Sequence, residues 1–131
     1  MLFRSSDVNA WASRDGNTVK LLVWNYRDDQ VPTAAAQIDL TVEGLPQATR
    51  RVLSRHYQVG PATSNAFSLW KSLGSPQQPT DEQVRHLKAA GQLQLLTSPA
   101  WENINDGKLQ LIFTLPSQAV SLVQIDRKSV V

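Results

Sequence analysis

Cysteine is absent from this 131-residue chain. Disulfides, thiolate nucleophiles and cysteine-ligated metals are therefore excluded. The redox compartment stays open, because a chain without Cys is compatible with any, and nothing else in the sequence fixes a localisation. No stretch approaches the ~18 consecutive apolar residues that a membrane-spanning helix needs. Residues 1–7 lack an apolar h-region, so they do not read as a signal peptide.

Charge is also scarce, at 18% of residues with a net charge of +2. The densest basic cluster is Arg50, Arg51 and Arg55. Nucleic-acid binders concentrate Lys and Arg on one face or helix. Three bases on one strand read as a solvated strand face, and no nucleic-acid partner is expected.

Side chains able to do chemistry are few and scattered. The glutamates are Glu43, Glu82 and Glu102. Glycosidic hydrolysis uses two carboxylates about 5–9.5 Å apart across the scissile bond. Glu43 reads as the wet face of a strand, Glu82 as the first turn of a helix, and Glu102 as a hairpin arm. Their spacing gives no reason for two of them to converge. Asp15 and Asp106 fall in turns, Asp28 and Asp29 in a loop. The two histidines, His56 and His86, form no His-x-His or His-x-x-x-His pair and suggest no metal centre. His56 reads as a packing or hydrogen-bonding residue and His86 as solvated. No Gly-rich phosphate loop and no Gly-x-Ser-x-Gly elbow occurs. No catalytic residue, metal or cofactor is expected.

What is present is material for one packed domain spanning residues 1–131. Apolar residues make up 41%, and four tryptophans supply large packing groups. Most of the chain reads as strands. Residues 8–13 and 17–26 flank Arg14-Asp15-Gly16-Asn17, whose Asp-Gly pair suits a tight hairpin. The second of these strands carries the run Val19, Leu21, Leu22, Val23 and Trp24, as in a central, largely buried strand. A turn-rich loop over 27–32 follows. Residues 36–43 alternate, with Ile38, Leu40 and Val42 against Gln37, Asp39, Thr41 and Glu43, which marks a strand with one wet face. Residues 51–59 form another strand, with Leu53, Tyr57 and Val59 on one side.

The middle of the chain is helical. Ser64 can cap a helix running to Leu73, with Phe67, Trp70 and Leu73 as its apolar stripe and Trp70 packing down against the sheet. Thr80-Asp81-Glu82-Gln83 is a capping-box pattern that opens a second helix, stopped by Gly91. Strands resume over 93–97. A hairpin turning at Asn105-Asp106-Gly107 joins 101–104 to 108–115, and 120–125 is the last strand. Short strands broken by Gly and Pro predict an antiparallel β-sandwich of about eight strands, with a two-helix insertion at about residues 64–91.

Among the aromatics, Trp24 reads as core. Trp11 and Trp101 lie in more polar contexts and could stack on sugar rings.

A longer pattern then enters. Arg55-His56-Tyr57-Gln58-Val59 is followed by Ser64-Asn65-Ala66-Phe67-Ser68-Leu69-Trp70-Lys71 and by the stretch from Leu73-Gly74-Ser75-Pro76 through Pro79-Thr80-Asp81-Glu82-Gln83. This order resembles the C-terminal β-sandwich region of glycoside hydrolase family 39, the family of bacterial β-xylosidases and α-L-iduronidase. It is closer to the xylosidases. Val23-Trp24-Asn25-Tyr26, Val42-Glu43-Gly44-Leu45-Pro46, and Leu115-Pro116 through Val120-Ser121-Leu122 fit as well, so the resemblance spans roughly residues 8–126. Family members often carry Ile-Asp where this chain has Val59-Gly60, and His-Ser-Asn where it has Thr63-Ser64-Asn65. Contacts of those Asp and His side chains are not carried over.

The resemblance implies that the catalytic glutamates belong to a (β/α)8 barrel of ~250 residues that this chain does not contain. The chain would then be a non-catalytic accessory domain, a fragment of a β-xylosidase-like hydrolase, with that barrel as its partner. Asn65, Trp70 and Lys71, in the insertion that leaves the sandwich, are candidates for inter-domain contact. Two alternatives stand beside this reading. One is a carbohydrate-binding module for xylan-type sugars, contacting xylo-oligosaccharide through Trp11 and Trp101. The other is an oligomerisation module.

Overall fold

The computed structural model describes residues 7–27 and 34–127. Eight strands and two helices follow in the order β1 (Val8–Asp15), β2 (Thr18–Asn25), β3 (Ala36–Val42), β4 (Arg51–Val59), α1 (Ala66–Ser72), α2 (Asp81–Ala90), β5 (Gln94–Leu95), β6 (Ala100–Asn103), β7 (Leu109–Leu115) and β8 (Ala119–Asp126). Every strand pair is antiparallel. The larger sheet runs β1-β2-β8-β4, and β5 and β6 both pair with β4. The second layer contains only β3 and β7. The mainly β sandwich with a helical insertion is thus as the sequence predicts. The expected loop over 27–32 lies almost wholly outside the described residues.

The core lies between the two layers. Val19, Leu21, Val23, Val52, Val123 and Ile125 face inward from the large sheet and meet Ile38, Leu109 and Leu115. Val52, Ile125 and Leu115 are wholly buried, each worth about 1.5–3 kcal/mol of transfer free energy. Two turns set the chain path. Gly16, at φ 58°, turns β1 into β2. At Asn105–Lys108, Asp106 and Gly107 both have positive φ, 54° and 69°, as a type I′ turn requires.

Several local expectations change. The turn at Asp106-Gly107 is tight, but it does not close a paired hairpin. β6 joins the large sheet beside β4, and β7 crosses to pair with β3. Turn chemistry fixes the reversal; the inward residues Leu109, Leu111, Phe113 and Leu115 draw β7 into the second layer. Residues 93–97 form a strand only at Gln94–Leu95. The cap of α1 is Asn65, whose side chain accepts from the Ser68 amide at 3.0 Å. Ser64 instead sits at φ 52° and donates to the Gln58 carbonyl at 2.8 Å. At α2 the sequence pattern holds in full: the Thr80 hydroxyl accepts from the Gln83 amide, and the Gln83 side chain accepts from the Thr80 amide. Neither helix has a fully buried residue, so capping carries much of their definition.

Leu53, Tyr57 and Val59 do share one side of β4, but it is the outer side. Val52, Ser54, His56 and Gln58 point into the sandwich, opposite Ile125, Val123 and Ser121 of β8. Trp24, expected in the core, is half-buried on the same outer face, and Trp70 packs on Phe67 within the insertion.

Candidate functional site

The inward polar residues of β4 form a closed network. The His56 Nε2 and the Ser121 Oγ lie 2.7 Å apart, and the Gln58 amide donates to the same oxygen at 3.2 Å. The Ser121 oxygen accepts from Gln58 and shares one further proton with His56 Nε2. Burial holds the His56 imidazole below its usual pKa of 6.5, which favours the neutral ring. Phe113 packs against the ring at 4.6 Å, nearly edge-on. A Ser–His pair can act as nucleophile and base. Ser121, however, exposes 0% of its surface, so no substrate reaches it. This is a satisfied core network. The Ser54 hydroxyl lies 3.4 Å from Glu102 Oε1 and 3.3 Å from the Ala100 carbonyl, tying β6 to β4.

The other glutamates lie elsewhere. Glu43 is 3.9 Å from the Lys108 ammonium in an exposed pair, and Glu82 occupies the first turn of α2. His86 is exposed on α2. Among the described residues no group of three His, Asp or Glu side chains is placed to hold a metal ion. No helix among them is long and apolar enough to cross a membrane.

The feature that calls for an explanation is the outer face of the large sheet. Strand register places Trp11, Leu22, Leu122 and Tyr57 in one row across β1, β2, β8 and β4, with Leu95 next to Tyr57. The neighbouring row is Asn9, Trp24, Val120 and Val59. On the other side the row turns polar: Ser13, Lys20, Gln124 and Arg55. One half of this face is therefore apolar and the other half is wet. Leu21 to Trp24 and Val120 to Val123 are nearly continuous apolar stretches, the pattern of strands covered on both sides. Yet Trp11 is 70% exposed, Val59 43% and Val120 37%. Contiguous exposed apolar rows bordered by polar ones mark an interaction surface. The β2 run reads as a central, largely buried strand; it does not show which side lacks a cover among the described residues.

The residues singled out from the sequence fall into three places. Asn65 is engaged in the fold: it caps α1 and donates to the Gly60 carbonyl at 2.9 Å. Trp70 stacks on Phe67 with ring centres 5.8 Å apart, and its indole donates to the Pro76 carbonyl at 2.9 Å. The Lys71 ammonium lies 5.4 Å from the Phe67 ring centre, while Phe67 is 61% exposed. Trp11 and Trp101 are both on the outer face, but in different rows and four strands apart, roughly 19 Å at the usual strand spacing. They make no joint stacking platform. The Arg51 guanidinium, moreover, lies 4.7 Å from the Trp101 ring centre.

No protein-family model matches the sequence. Solved structures do match the fold. The family 39 glycoside hydrolase from Xanthomonas axonopodis pv. citri superposes with a TM-score of 0.78 at 19% identity, over 92% of this chain and 26% of that one. Its fold recurs inside glycoside hydrolase family 39 enzymes. A monomeric β-xylosidase from Caulobacter crescentus CB15 gives 0.70 at 21% identity, over 92% and 26%. A bacterial orthologue of human α-L-iduronidase gives 0.76 at 17% identity, over 95% and 22%. The chain thus spans about a quarter of the length of the family 39 structures it matches. The resemblance read from the sequence and the likeness in fold agree.

Proposed function

We propose that this chain is a non-catalytic accessory β-sandwich of a β-xylosidase-like glycoside hydrolase, and that it docks on a catalytic barrel through the apolar half of its outer sheet face. The observation that carries this reading is the asymmetric match: nearly all of this chain corresponds to about a quarter of each glycosidase chain. The geometry supports it in two further ways. The three glutamates lie on separate elements, each held in a local setting. And the Trp11–Leu22–Leu122–Tyr57 row is apolar without a cover among the described residues, as a domain contact requires. Asn65 belongs to the fold rather than to the contact in this account. Trp70 and Lys71, packed with the exposed Phe67 in the insertion, are further candidates for that contact.

The test is co-expression of this chain with a (β/α)8 barrel encoded upstream in its own genome, followed by size exclusion. Co-elution as a one-to-one complex supports the proposal. Separate elution of two folded chains contradicts it.

A further inference from the structure

The two layers of the sandwich are unequal in width. The large sheet is five strands across, β1-β2-β8-β4 with β5 or β6, roughly 19 Å between outermost axes. The second layer has β3 and β7 alone, about 5 Å between axes. Among the described residues neither of its flanks carries a further strand. On the β7 side the gap is about 200 Å³ and is lined by His56, Phe113, Leu96, Thr97, Ala100 and Glu102 among others. On the β3 side it is about 440 Å³, a groove between β3 and the inner face of β1.

This second groove has the attributes of a strand site. Its floor is Ala10, Ala12, Val19 and Leu21, with Leu40 and Val42 along one wall. Ala10 and Ala12 point into the sandwich, opposite Val23 and Leu21, yet both are exposed. Small inward residues with nothing above them among the described residues leave the height of one more layer. The β3 edge on this side has no partner strand among the described residues, so its main-chain N–H and C=O groups face the groove. Such an edge is a template for strand addition. One more strand, ~4.8 Å beyond β3, lies directly above β1.

Charge marks one end of the groove. Arg14 and Arg127 both donate to the Gly16 carbonyl, at 3.4 and 2.9 Å. Neither guanidinium has a carboxylate partner among the described residues, and the Arg127 Nε is buried with no acceptor. Glu43, the carboxylate that lines the same groove, is the one engaged by Lys108.

The geometry points to a peptide-strand site here: an extended segment adds to the free edge of β3, sets alternate apolar side chains on Ala10 and Ala12, and places a carboxylate against Arg14 and Arg127. The pairing is antiparallel, the more stable arrangement, so the acidic residue lies near the N-terminus of the added strand. This inference stands apart from the docking of the outer face, since it concerns the opposite side of β1.

The test uses the full chain and the capped peptide acetyl-Asp-Val-Thr-Val-Thr-Val-Lys-amide, read by amide hydrogen exchange. At millimolar peptide, exchange across residues 36–42 slows at least tenfold, and that across β7 does not. Ala12→Trp fills the groove from an exposed position and removes the protection. Arg14→Glu, or Lys in place of the peptide's Asp, weakens binding at least tenfold. Unchanged exchange in β3 with the wild-type chain overturns the proposal. So does equal protection after Ala12→Trp. A doubled mass by light scattering, with β3 protected in the absence of peptide, overturns it too, because a second copy then occupies the edge.

Discussion

The His56 imidazole and the Ser121 hydroxyl meet at 2.7 Å inside the sandwich, and Ser121 has no accessible surface. The pair joins β4 to β8 at the point where the core is polar. Its consequence is a pH dependence. Burial lowers the His56 pKa below 6.5 in the folded chain. In the interval between the two values the unfolded chain binds the proton and the folded chain does not, so stability rises with pH there. Stability is full above about pH 6.5 and declines as pH falls from that value toward the lowered one. Urea melts at pH 7 and pH 5 should show this loss in the wild type and a smaller loss in His56→Gln. Equal losses in both proteins would remove His56 as the cause.

Gly107 and Gly44 both adopt positive φ, but their surroundings differ. A Cβ on Gly107 would lie 2.8 Å from the Leu45 carbonyl oxygen, while one on Gly44 meets nothing within 4 Å. Gly44→Ala bears only the left-handed backbone cost, about 1 kcal/mol. Gly107→Ala adds a clash with main chain at the turn that feeds β7, and the total should reach roughly 2–4 kcal/mol. Denaturant midpoints of the two variants check the order. A Gly107→Ala protein as stable as Gly44→Ala contradicts the packing described.

Asn65 and Lys71 separate a structural role from a surface role. Asn65→Ala loses the cap of α1 and the bond to Gly60, a loss of about 0.5–2 kcal/mol in the isolated chain. Lys71→Ala removes an exposed side chain and should stay within about 0.5 kcal/mol. Thermal melts of the two variants are sufficient. The reverse order would return Asn65 to the contact surface.

The apolar half of the outer face predicts a split between folding and association. Trp11→Ser and Val120→Thr alter exposed positions, so the chain alone should keep its stability within about 0.5 kcal/mol each. The double variant should bind a hydrophobic dye such as ANS less than the wild type does, and should fail to co-elute with the barrel. A double variant that still co-elutes would move the contact to another face.

Much of this was legible in the sequence, and for definable reasons. Period-two alternation located β3, and the capping box located α2 to the residue. The Gly-bearing turns at 16 and 107 were equally plain. Which sheet each strand joins was not legible, because β7 and β6 are separated by a turn that fits a paired hairpin as well as a crossover. The inward face of β4 was misleading for a related reason. Leu53, Tyr57 and Val59 are its more apolar set, yet His56 and Gln58 both bond Ser121 indoors, and Ser54 bonds the Ala100 carbonyl and Glu102 of β6. Trp24 reads as core because its strand is the most apolar of the chain. That reading describes a strand with a second partner; within the described residues only one side is covered.

We propose that this chain supplies a surface and not a reaction. Incubating the purified, folded chain with a chromogenic β-xyloside tests it most directly. Chromophore release equal to that of a heat-inactivated control is the predicted result. Turnover above the control, rising in proportion to folded chain, would contradict the account.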